Sequence, residues 1–83
     1  MITIDLTDLE SAEEFYKRLG EQIELPDYFG YNLDALHDVL SERAALQIRF
    51  TGCDDAMAIM PRFMRGLKRM CADLEEAEIN FEE

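Results

Sequence analysis

With 83 residues the chain is sized for a single domain spanning 1–83, near the lower end of what folds on one core. Its hydrophobic share of 48% argues against intrinsic disorder, and no apolar run approaches the ~20 residues of a membrane span. Nineteen Asp and Glu against eight Lys and Arg give a net charge of −11, which repels phosphate backbones and favours basic partners, so direct binding to nucleic acid is disfavoured.

Residues 1–6, MITIDL, alternate Ile2, Ile4 and Leu6 with Thr3 and Asp5, the pattern of a half-buried strand. Asp5 and Asp8 interrupt this start and a basic n-region is missing, so no signal peptide is expected and the default location is the cytoplasm. Ser11 and Glu14 have capping-box spacing, and Gly20 stands where a C-cap would end the helix. That helix would bury Ala12, Phe15, Tyr16 and Leu19. Pro26 and Gly30 break regular structure, which makes residues 21–31 a bent connection.

Asn32 is a favourable N-cap for a helix over 33–41. Residues 45–50, ALQIRF, again alternate, with Leu46, Ile48 and Phe50 on one side. Gly52 and Asp54 mark a turn and a new helix start; Pro61 either kinks that helix or opens a second one running to about Leu74. Phe63, Leu67, Met70 and Leu74 form its apolar face, and Ile79 and Phe81 close the chain as a short strand. Helical connections between strands favour parallel pairing. The expected fold is therefore α/β: a small three-stranded parallel sheet packed with three to four helices. Parallel sheets are normally covered on both faces, whereas these strands alternate, so one face is expected to stay wet.

Chemistry-bearing residues concentrate in one stretch, LPDYFGYNLDALHDVL, from Leu25 to Leu40. Between Leu19 and Glu42 there is no Lys or Arg, while Glu21, Glu24, Asp27, Asp34, Asp38 and Glu42 are all acidic. On the helix over 33–41, Leu33, Leu36, Val39 and Leu40 fall within ~120° and form the buried stripe. Asp34 and Asp38 lie ~40° apart on the opposite side, with Ser41 and Glu42 near them, and His37 falls at the margin. A charged face of this kind is commonly no more than a solvated surface. Tyr28, Phe29 and Tyr31 in the preceding connection tilt the balance, since tyrosine beside charge is the composition of a protein-binding patch. Phe29, lacking a polar handle, is the aromatic assigned to the core.

Two other readings compete. His37 could be a general base oriented by Asp34 or Asp38, but these spacings do not make side chains converge on a substrate, and no activated nucleophile stands beside them. Asp34, His37 and Asp38 could ligate a metal, yet one helix turn rarely converges three ligands, and no fourth has recognisable spacing. Cys53 and Cys71 read as buried thiols, and two Cys with one His fall short of the about four ligands of structural zinc. No catalytic residue, metal or cofactor is therefore assigned. Arg62, Arg65 and Arg69 form a helical face of their own, read as solvated and balancing nearby acids.

The stretch from Leu25 to Leu40 resembles the segment that identifies the barstar family: Leu-Pro, an acid, two aromatics, Gly, Asn-Leu-Asp-Ala-Leu, and a second Asp four after the first. The close match covers sixteen of the 83 residues. The resemblance implies a small parallel sheet with helices, and an intracellular inhibitor of a barnase-like ribonuclease toxin, monomeric when free, in effect an immunity protein. It implies that Asp38 enters the cationic phosphate-binding site of the nuclease and that Asp34 pairs with basic groups on its rim. Tyr28, Gly30, Asn32, Leu33 and Ala35 would shape the contact, with Tyr31, His37 and Glu42 bordering it. This sequence departs from the pattern at His37 and Arg43, where relatives carry large aromatics. It departs again on the last long helix, where an acid is expected and Cys71 falls, with Asp73 and Glu75 near. A non-nuclease basic partner, bound by the same surface acting as an acidic adaptor, is the alternative; a metal-binding enzyme on Asp34, His37 and Asp38 is a third.

Overall fold

A computed structural model of the chain describes residues 1–27, 29–43 and 45–83. Among them the order is β1 (Ile2–Asp5), α1 (Ala12–Gly20), α2 (Leu33–Ser41), β2 (Gln47–Thr51), α3 (Cys53–Ile59), α4 (Pro61–Ala72) and β3 (Glu78–Phe81). The three strands form one parallel sheet in the order β1-β2-β3. Each crossover carries two helices, so the α/β architecture read from the alternation and cap signals is the one observed.

Register explains why the strands alternate. Ile2, Ile48 and Ile79 align across the sheet, as do Ile4, Phe50 and Phe81, and these rows turn towards the helices. Phe50 lies between Phe15 of α1 at 6.0 Å and Phe81 at 5.2 Å. The opposite rows are polar: Thr3, Arg49 and Asn80 align, and Gln47 donates to Glu78 at 3.1 Å. With Thr3, Gln47, Glu78 and Asn80 exposed, one face of the sheet is left to water, as the alternation required.

The helix ends show which local signals decided. Ser11 accepts from the Glu14 backbone N–H at 3.1 Å, but the Glu14 carboxylate receives the Glu10 N–H at 3.2 Å, one residue earlier than a reciprocal box would have it. Gly20 does not act as a left-handed cap. It is the last helical residue, and Glu21 follows in right-handed conformation at φ −74°. The helix ends because Gln22 and Ile23 both donate to the Leu19 carbonyl, a tightened turn that carries Ile23 into the core. Pro61 opens a separate helix: Met60 breaks from helical geometry at φ −132°, and Pro61 takes the first turn of α4, where its missing N–H costs nothing. Met64 and Cys71 join Leu67 and Met70 in the buried stripe of α4, Leu74 is buried just beyond its end, and Phe63 is half-buried.

Candidate partner-binding site

The connection into α2 is held by the short polar bonds of its own residues. Phe29 donates its backbone N–H to the Pro26 carbonyl at 3.0 Å, and its buried ring meets Tyr16 edge-on at 5.5 Å. Phe29 is thus a core aromatic, as expected. Tyr31 has φ 50°, a left-handed conformation that turns the chain sharply, and it is 66% exposed while its ring rests against Phe29 at 5.2 Å. Tyr28 lies outside the described residues.

Asn32 performs two tasks at the start of α2. Its Oδ1 accepts from the Ala35 N–H at 2.8 Å, capping the helix, while its Nδ2 donates to the Gly30 carbonyl at 3.1 Å. Gly30, Asn32 and Ala35 are thereby tied together, and a Cβ at Gly30 would stand 3.1 Å from Asn32 Nδ2. Leu36 and Leu40 are fully buried beneath the helix. Leu33 is half-buried against α4, where a Cβ at Gly66 would come within 3.0 Å of its Cδ1. The absence of a side chain at Gly66 lets the start of α2 sit this close.

Asp34, Asp38 and Glu42 are all exposed. Ser41 donates its hydroxyl to the Asp38 carbonyl at 3.0 Å, and Arg43 reaches back from the far end of the helix to donate to the Glu24 carbonyl at 2.9 Å. That bond closes the segment from Glu24 to Arg43 into a ring with α2 as one side. Inside the ring a cleft of about 860 Å³ opens between connection and helix, lined by Glu24, Asp27, Gly30, Asp38, Glu42 and Arg43 among others. Four of these are acids, and the one cation already has its guanidinium on a carbonyl. The cleft can therefore receive a cationic side chain beside Asp38.

His37 stands apart from this arrangement. It is half-buried and borders a groove of about 210 Å³ between α2 and the α4–β3 connection, with Arg43, Asp73, Glu75 and Glu76. Cys71, at the place on α4 where the resemblance expects an acid, is buried, and burial pushes its thiol up to about 12, so it stays neutral. Asp73, two residues on, is exposed. Among the described residues no group of three or more His, Cys, Asp or Glu is arranged to hold a metal, and no helix is long and apolar enough to cross a membrane.

Sequence reasoning missed two positioning residues. Arg43 bonds a carbonyl 19 positions earlier, which no local spacing foretells. Gly66 was legible in principle, because a glycine inside an amphipathic helix often marks a close approach.

Comparison with known proteins gives a consistent answer. The family model for Barstar (barnase inhibitor) matches residues 1–82. The protein named "Putative ribonuclease inhibitor YrdF" from Bacillus subtilis (strain 168) is 45% identical over 40 residues, covering 48% of this chain and 44% of that relative. The chain thus matches less than half the length of this curated relative.

Proposed function

This chain belongs to the barstar family, and on that premise we propose that it is a cytoplasmic ribonuclease inhibitor, an immunity protein that blocks the active site of a cognate toxin. The toxin is a barnase-like or other basic ribonuclease, and the inhibitor is a monomer when free. The observation that carries this reading is the outward pair Asp34 and Asp38 on a helix fastened at both ends, by Asn32 before it and Arg43 after it. A nuclease binds RNA by cationic groups placed for phosphates. Two carboxylates held one helical turn apart offer those groups charge-assisted partners without a scissile bond. The fastening matters because a helix whose backbone is already held in place loses less freedom on binding.

Each residue then has a task. Asp38, beside the cleft, meets the cations of the nuclease active site, and Asp34 meets those at its edge. Tyr28, Gly30, Tyr31, Asn32, Leu33 and Ala35 form the contact surface around them, and Glu42 extends the acidic face. His37 borders it. The protein's own charge of −11 accelerates encounter with a basic partner.

The test is calorimetric or interferometric titration against the ribonuclease toxin. Asp38→Ala is expected to weaken binding by about thirtyfold or more, whereas Glu21→Ala, an exposed acid away from α2, changes it little. Association should also slow steeply as salt rises. Equal affinities for the two variants would show that the wrong face has been assigned.

A further inference from the structure

The arginines of this chain divide into two groups. Arg18 donates to the carbonyls of Asp5 and Thr7 and pairs with Glu14 at 2.7 Å. Arg43 holds the Glu24 carbonyl, and Arg49 lies 3.6 Å from Glu82. Arg62, Arg65 and Arg69 are exposed on α4, and among the described residues they take part in no ion pair. Lys68, on the same helix, is turned aside over the Phe81 ring at 5.5 Å. In a chain with nineteen acids, three arginines on one helix face have been left unmatched.

Their position gives this meaning. α2 and α4 lie side by side and run the same way: Leu33 at the start of α2 meets Gly66 midway along α4, and His37 and Leu40 further along α2 share a groove with Asp73 and Leu74 just past the end of α4. At ~100° per residue, Asp34 and Asp38 lie ~100–140° round α2 from Leu33, away from the core. Arg62, Arg69 and Arg65 lie ~40–100° round α4 from Gly66, in the opposite sense and also away from the buried Leu67. Adjacent helices turned in opposite senses present these faces on the same side of the molecule. The side that carries the acidic pair therefore also carries a basic stripe.

We infer that the α4 stripe of Arg62, Arg65 and Arg69 is a selectivity surface: the nuclease this inhibitor accepts has acidic side chains on the rim beside its cationic RNA site. This rests on the inhibitor reading given above and adds to it the charge pattern of the partner. A nuclease whose rim is basic meets three arginines as its active site approaches Asp38, and like charges brought together at an interface are repelled. The acidic helix attracts ribonucleases as a class; the basic one chooses among them.

The experiment uses catalytically inactive barnase-type ribonucleases differing in rim charge, titrated with the wild type, R62E/R65E/R69E, the neutral R62Q/R65Q/R69Q and D34A/D38A. Circular dichroism melting confirms that each variant is folded. Wild type should prefer acidic-rimmed nucleases. The Glu variant should lose about tenfold or more against those and gain against basic-rimmed ones, with the Gln variant between. If D34A/D38A abolishes binding but the ranking is the same for all arginine variants, the selectivity inference fails while the inhibitor reading stands. If D34A/D38A binds every nuclease as wild type does, the inhibitor reading itself fails. A single-stranded oligouridylate is titrated in parallel, and binding that disappears in R62E/R65E/R69E would overturn the inference in favour of an RNA-contacting role.

Discussion

Gly52 joins β2 to α3 at φ 70°, a conformation glycine adopts freely and other residues only under strain. A Cβ there would press on the Thr7 hydroxyl and lie 2.8 Å from the Thr7 backbone nitrogen. Thr7 belongs to a dense group: its N–H donates to Asp5 at 2.9 Å, its carbonyl accepts from Arg18, and the next N–H, of Asp8, donates to Asp55 on α3 at 2.6 Å. Gly52→Ala is therefore expected to cost at least about 1–3 kcal/mol of stability, from backbone strain alone. A urea midpoint equal to wild type would show that the turn relaxes freely. The sequence marks Gly52 as a turn but is silent about Thr7, 45 positions away. What makes a glycine obligatory here is the approach of another segment, and one-dimensional spacing does not carry that.

At the scale of elements, more could be read. The bounds of α2 follow from Asn32 as cap and the leucine spacing, and the structure has the helix over the same residues, 33–41. The parallel sheet follows from alternation separated by helical segments. The expectation for Gly20 failed because a right-handed turn onto Leu19 competes with a left-handed cap and buries Ile23 as well. The placing of α2 against α4 was hidden for the same reason as the Thr7 contact, since it depends on Gly66 meeting Leu33. Gly66→Ala adds helix propensity to α4, worth up to about 1 kcal/mol, yet it places a methyl where Leu33 now packs. The expected result is a nearly unchanged melting temperature with weakened binding of the proposed ribonuclease partner, because the start of α2 is displaced. Unchanged affinity alongside unchanged stability would mean that Leu33 yields without moving the helix.

For the whole molecule, charge and proton binding set the response to pH. Hydrogen bonds from the Thr7 hydroxyl and the Thr7 N–H hold Asp5 below its ordinary 3.8, and the Glu10 N–H followed by Arg18 holds Glu14 below its ordinary 4.5. Both carboxylates thus bind protons less readily folded than unfolded. Their contribution to stability is complete above those ordinary values and is lost as pH falls through the lowered ones. Both are well solvated, so the effect is modest, and relief of the −11 self-repulsion on acidification works against it. Comparison with Asp5→Asn separates the two. The variant should be less stable than wild type near pH 7, with the gap closing below about pH 3.8. A gap of constant size across that range would remove Asp5 from the account.

The unclad side of the sheet offers experimental access to the rest. Helices occupy the side with Ile4, Ile48 and Phe50, while Asn80 projects into solvent from the last strand on the reverse. Both native thiols, Cys53 and Cys71, are buried, and desolvation holds each in its unreactive protonated form. Asn80→Cys would add a single readily accessible thiol, on the surface facing away from the helices. A dye, spin label or surface tether attached there would report on the acidic helix without standing in its way.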